Sequence, residues 1–236
     1  MAILTKSGRA AIAAAIKSQP LYLALGAGSP HWDTQFETTV TLEPDIPVAL
    51  YAPVDEISIT APDGALWVRD QDYRLDSAAG RLTWLGSAGE DADASAAITA
   101  TATVTVRYRT GRASEETGAQ ALMAEIGRRV VEERHFVEPD PEGEIVVPTG
   151  RFRVVAGPSN HLFLRVRFDF GDAAGTTVRE QALFVGTELV PDLPPGQRYV
   201  PPEAVMDPGI LLVLQHAAPI VRHAATRETF EFVVTF

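Results

Sequence analysis

Leu162-Phe163-Leu164-Arg165-Val166-Arg167-Phe168-Asp169-Phe170 decides the fold class, because Leu162, Leu164, Val166, Phe168 and Phe170 alternate with Phe163, Arg165, Arg167 and Asp169. Successive side chains of a strand point to opposite faces, so a period of two predicts a strand with one apolar face. Phe230, Phe232, Val234 and Phe236 repeat the pattern, which requires that segment to be paired or buried. Further short apolar runs at 130–137, 144–147, 151–155, 183–186 and 211–215 read as strands around these two. The second half of the chain is therefore mostly β.

The N-terminal part begins with a short helix. Thr5 is placed to cap it, Leu4, Ile12 and Ile16 supply apolar contacts at near-helical spacing, and Pro20 stops it. Its alanine-rich face suits close packing on a sheet. Leu21 to Leu25 reads as a buried strand running into the turn Gly26-Ala27-Gly28-Ser29-Pro30. From about Phe36 to Arg112 helical periodicity gives way to short alternating runs at 57–60, 65–69, 73–76, 81–85 and 98–108, separated by turns such as Pro62-Asp63-Gly64. These predict a small immunoglobulin-like sandwich. Between Glu37 and Arg112 twelve acids face six arginines, so this third of the chain carries over half of the excess negative charge and is expected to be exposed on most sides. Ser114-Glu115-Glu116-Thr117, followed by Ala119, Leu122, Met123 and Ile126, predicts a second helix ending at Gly127. The resulting parse is an α+β, predominantly β protein. A helix-plus-antiparallel-sheet body of residues 1–36 and 113–236 carries an inserted acidic sandwich at 37–112. Residues 191–208, with Pro194, Pro195, Pro201 and Pro202, read as a long stiff loop or contact arm.

Composition excludes whole classes of chemistry. With 20 Lys and Arg against 31 Asp and Glu, a net of −11 argues against a nucleic-acid partner. Lys6 and Lys17 are the only lysines, which removes a P-loop, a Schiff-base lysine and an S-x-x-K nucleophile from the main body. The absence of cysteine removes thiol catalysis, cysteine-zinc sites and disulfides, and suits assembly in a reducing cytoplasm. Lys6 and Arg9 interrupt the N-terminal apolar stretch, and no run of about 18 uncharged apolar residues occurs, so neither a signal peptide nor a membrane span is expected.

The local motifs nominate no catalytic, cofactor-binding or metal-ligating residue. Gly26-Ala27-Gly28 follows a strand, but His31 stands where a dinucleotide turn has glycine. Asp70, Asp72 and Asp76 beside Trp67, Tyr73 and Trp84 have the residue types of a calcium or sugar site, yet the EF-hand glycine and terminal glutamate are missing and alternation alone places acids on a wet face. His31, His135, His161, His216 and His223 have no ligand spacing, and no G-x-S-x-G elbow offers a serine. Arg179-Glu180, inside an apolar stretch, reads as a buried ion pair fixing register or as an exposed edge.

Three segments in order carry a resemblance: Leu4 to Ala13, Ala24-Leu25-Gly26-Ala27-Gly28, and Val178-Arg179-Glu180-Gln181-Ala182-Leu183-Phe184. The chain resembles tailed-bacteriophage virion proteins of the tail-collar fibre and baseplate type. It departs from their pattern at Gln181-Ala182, where that family has Ile-Gly, and in the extra sandwich. Residues 143–152 and 227–232 are similar to other proteins encoded among phage tail genes. The resemblance implies a non-enzymatic structural subunit of the virion, assembled in the bacterial host cytoplasm. It would form a homo-oligomer, dock through its body on other tail or baseplate proteins, and project its acidic sandwich. The alternatives are a carbohydrate-binding receptor module using Trp67, Tyr73 and Trp84 with Asp72 or Asp76, and a capsid or neck decoration protein.

Overall fold

In the computed structural model, which describes residues 2–86 and 101–236, the decisive run becomes the strand His161–Phe168, and the side chains of Leu162, Leu164, Val166 and Phe168 are wholly buried. The strand ends there because the Asp169 N–H donates to the Asp172 carboxylate (2.8 Å) and turns the chain, leaving Phe170 44% exposed. Around this strand, Met1–Gly28 and Glu115–Phe236 form one unit, and Ser29–Ser114 form another.

The first unit is a β-sandwich of two five-stranded antiparallel sheets. One contains β1 (Leu21–Gly26), β8 (Glu125–Val130), β13 (Thr177–Val185), β15 (Tyr199–Val200) and β17 (Ile210–Val221), in the order β15-β8-β1-β13-β17. The other contains β9 (Glu133–Pro139), β10 (Ile145–Val147), β11 (Gly150–Val154), β12 (His161–Phe168) and β18 (Glu228–Thr235), in the order β10-β11-β9-β12-β18. Leu21, Leu23, Leu25 and Leu183 of the first sheet meet Leu162, Leu164, Val166 and Phe168 of the second in one core. Each such side chain contributes about 1.5–3 kcal/mol through burial. The second sheet also buries part of its other face, where Val137, Val147, Phe152 and Phe163 cluster with Ile145 and Val233. This explains the large apolar Phe163 on the face that otherwise carries Arg165 and Arg167. Arg165 lies across from Glu133 and Glu231 and bonds to both (2.8 and 2.6 Å).

Helix α1 (Lys6–Lys17) starts at Thr5, whose side chain accepts from the Gly8 N–H (3.1 Å). Its alanine-rich face packs on the sheet as expected, but two of the expected apolar contacts are not made. Ala13, with Ala14 and Ile16, enters the core, while Leu4 and Ile12 remain exposed. The methyl of Ala13 lets the helix backbone approach β12 closely, and this turns the Ile12 side outward.

The second helix predicted after Ser114 does not form. Residues 115–124 are irregular, and Glu125–Val130 is a strand paired with β1. Leu122 is buried while Met123 is exposed, and the N–H groups of Met123 and Ala124 donate to the Glu180 carboxylate instead of to carbonyls one turn back. A tertiary acceptor has outcompeted the helical ladder. Residues 191–208 are also more ordered than a loop. β15 pairs with β8, and β16 (Val205–Asp207) pairs with β14 (Glu188–Leu189) after the 3₁₀ turn Pro202–Ala204.

In the second unit, β2 (Gln35–Leu42), β4 (Val54–Thr60) and β7 (Ala102–Thr110) form a sheet in the order β2-β7-β4. A second sheet, β3-β6-β5, is made of β3 (Pro47–Ala49), β5 (Tyr73–Asp76) and β6 (Arg81–Trp84). Leu42, Ile59, Leu82, Val106 and Tyr108 belong to one core drawn from both sheets. Residues 65–69 form no strand: Leu66 and Arg69 make isolated bridges only, and the Val68 N–H is taken by the Asp72 carboxylate (2.7 Å). Residues 98–100 of the predicted 98–108 strand lie outside the described residues. Among the described residues no helix is long and apolar enough to cross a membrane.

Candidate functional site

Two of the sequence motifs meet at one place in the first unit. β1 pairs with β13 so that Gly26 lies opposite Glu180, and the Glu180 side chain is buried. One carboxylate oxygen, Oε2, accepts from the N–H groups of Gly28 (3.1 Å) and Ala124 (3.4 Å). The other, Oε1, accepts from Met123 (3.2 Å) and lies 3.7 Å from His216 Nε2. The Ala27 N–H donates to the Ala124 carbonyl (2.7 Å), and Arg179 donates to the Ala27 carbonyl (3.4 Å). Glu115 Oε1 accepts from the His216 N–H (2.8 Å). The Glu180 carboxylate therefore holds the strand end at which the chain leaves the unit beside the segment by which it returns. Glycine suits position 26, since a Cβ there would come within 2.5 Å of Glu180 Oε2 and 3.2 Å of the Ala124 carbonyl oxygen. Arg179 and Glu180 are thus neither an ion pair with each other nor an exposed edge: both serve the backbone of the crossing point.

The second unit closes its own crossing point in a comparable way. The Thr34 N–H donates to the Thr110 hydroxyl (3.1 Å), the Thr110 N–H donates to the Thr34 carbonyl (2.9 Å), and the Thr110 hydroxyl reaches the His31 carbonyl. Arg112 lies 3.7 Å from Asp33. Neither clamp was visible as a local motif, because its partners are 56 to 152 positions apart.

The remaining buried charges in the first unit also organise backbone and loops. Arg128, almost wholly buried, bonds Glu125 through two nitrogens (2.8 Å each), reaches Thr187 and the Pro208 carbonyl, and lies over the Phe184 ring. Arg129 bonds Asp169 (2.8 Å) and Asp172, and Arg222 donates to the Asp169 carbonyl (2.9 Å). The hydrogen bond from Arg129 holds the Asp169 carboxyl below the usual carboxylate range; desolvation opposes this and the charges of Arg129, Arg227 and Arg167 add to it. Such pairs fix loop geometry.

The aromatic residues of the acidic-aromatic group weighed as a calcium or sugar site pack together against the core of the second unit. Tyr73 and Trp84 are buried in the core of the second unit, and Trp67 stacks on Trp84 (5.8 Å between centroids). Asp72 and Asp76 accept from the Val68 and Ala79 N–H groups. Among the described residues no group of three or more metal-ligating side chains comes together. The histidines are spread as well: His31 stacks on Tyr51 (3.8 Å), His135 on Phe163 (6.4 Å), and His161 bonds Thr235 (2.9 Å).

No curated protein matches the chain. A family model does, over residues 1–103 and 109–236, and those residues include the clamp motifs, both sheets of the sandwich and most of the second unit. With nearly the whole chain matched, the protein belongs to the baseplate wedge 3 tail fiber network component family and has a structural role in the phage tail and baseplate.

Proposed function

We propose that the chain is a non-enzymatic subunit of the baseplate that assembles symmetrically, with further copies of itself and with tail-fibre and baseplate proteins as its partners. The family match carries this reading, and membership makes the chain a virion component that interacts with other tail and baseplate proteins. The two-unit organisation supports it in detail. Glu180 and Arg128 bind backbone groups and Arg129 binds the acids of the loop after β12, so the first unit is a stiff docking body. Ser29–Ser114, with two small sheets around one core, is read as the immunoglobulin-like insert. A cysteine-free chain suits assembly in the host cytoplasm before packaging into the particle. Of the three stacking residues of the carbohydrate-binding reading, Tyr73 and Trp84 pack inward and only Trp67 is partly exposed.

Light scattering on the full chain tests the homo-oligomer: the expected mass is a fixed multiple of 25.4 kDa over a wide concentration range. A mass of one chain throughout would overturn the self-association. Absence of the chain from purified particles, read by mass spectrometry, would overturn the structural reading as a whole.

A further inference from the structure

Helix α1 turns an apolar side outward. Leu4, Gly8 and Ile12 follow one another four residues apart and so form a single ridge, with Ala11 and Ala15 beside it, and Leu4 and Ile12 are 53% and 41% exposed. The outward side of a surface helix ordinarily carries its charged residues. Here no charge falls on the ridge, and Arg9 flanks it three positions before Ile12. The surrounding sequence is equally one-sided. Residues 1–32 contain both lysines of the chain, Arg9 and no acid, although the whole chain has a net charge of −11.

A recess of the complementary character lies elsewhere on the first unit. It encloses about 320 Å³, and one wall is the aliphatic run Leu211 to Leu214 at the start of edge strand β17, each residue partly exposed. The other wall belongs to the irregular segment after Ser114 and consists of Glu115, Glu116, Thr117 and Ala119. Glu115 is drawn toward β17 by the His216 N–H (2.8 Å), and Glu116 is exposed. The recess is thus aliphatic on one side and acidic on the other.

We propose that the outward side of α1 in one copy docks into this recess on a second copy, with Leu4 and Ile12 against Leu211 to Leu214 and Arg9 toward Glu115 and Glu116. The inference rests on the reading of the chain as a self-assembling subunit and names the two surfaces that meet. Helix α1 does not serve the recess of its own copy, because Ala13 and Ile16 hold its inward side in the core and leave the ridge in solvent. Two α1 helices facing each other are the poorer match, since two basic, acid-free segments would then be set together. Docking in the recess instead brings the basic end of one acidic copy to an acidic rim of the next and withdraws apolar surface from water on both. The contact joins different patches on the two copies, so each added copy leaves one ridge and one recess open until a ring closes.

The test is light scattering on the full chain as wild type, Ile12→Glu and Thr117→Trp, and on an equimolar mixture of the two variants. Ile12→Glu puts a charge on the ridge, and Thr117→Trp, at an exposed position, fills the recess. Each variant alone is expected to weaken self-association by at least about tenfold, giving the mass of one chain, 25.4 kDa, where the wild type is assembled. The mixture is expected to reach two chains and no more, because the intact recess of the first variant and the intact helix of the second make a single contact. Ala11→Glu, on the same side and exposed, is expected to act as Ile12→Glu does, so the result does not hang on the folding of one variant. Wild-type assembly by Thr117→Trp, or a mixture that stays at one chain, would overturn the proposal and leave self-association standing. A wild type of one chain throughout would overturn both. None of these results alters whether the chain is found in purified particles, so the docking assignment and the baseplate reading fail separately.

Discussion

Glu180 is the residue at which the outgoing and returning chain of the first unit meet. Its carboxylate is the acceptor for three main-chain N–H groups, from Gly28, Met123 and Ala124, and the side chain is 1% exposed. Removing the acceptor strands buried donors, and each orphaned donor costs about 1–3 kcal/mol. Glu180→Ala is therefore expected to lower the unfolding free energy of the full chain by about 3 kcal/mol in urea titrations, some donors recovering water. Glu188→Ala, at an exposed carboxylate on the next strand, should stay within about 0.5 kcal/mol. Equal effects of the two would show that the clamp contributes nothing. The sequence marked both halves of this clamp, Gly26-Ala27-Gly28 and Arg179-Glu180, as unusual. Their meeting was not legible, since it depends on the β1–β13 register, which places Gly26 opposite Glu180 across more than 150 residues.

At the scale of elements, legibility follows how far a segment's structure is decided locally. Strand β12 was readable because burial of one face and period-two alternation coincide in Leu162, Leu164, Val166 and Phe168. The 115–124 segment was misread because helical spacing of Ala119, Leu122, Met123 and Ile126 is a weak preference that tertiary hydrogen bonds to Glu180 override. Strand β17 was read only at 211–215 but runs to Val221. Its later half carries Pro219, which an edge strand tolerates, and a register irregularity between Val178 and Glu180 accommodates the extra residues opposite. The core role of β12 has a direct consequence. Phe168 has no exposed surface and packs edge-on against Phe230 (5.6 Å) and Tyr199 (6.4 Å), so Phe168→Ala is expected to cost about 3–5 kcal/mol. Phe170→Ala, two positions on and partly exposed over Arg227, should cost less than about 1 kcal/mol by the same denaturation measurement. A reversal of that order would mean that the strand's inward face had been assigned to the wrong residues.

For the whole molecule, the decisive fact is that the buried residues divide into separate cores. Leu162, Leu164 and Phe168 belong to one and Leu82, Val104 and Val106 to another, with each unit tying its own outgoing and returning chain together, through Glu180 in one and Thr110 in the other. Cooperative unfolding spreads through packed side chains, so cores that share none should melt as separate transitions. Calorimetry of the full chain is expected to show two. Leu82→Ala, which empties a wholly buried site in Ser29–Ser114, should cost that unit about 2–5 kcal/mol and lower one transition by more than about 10 °C. Phe168→Ala should lower only the other. A single transition that both substitutions shift equally would show that the units fold as one. Separate melting would give the baseplate reading a physical basis: a body clamped at its own crossing point keeps its two sheets whatever happens to the inserted unit.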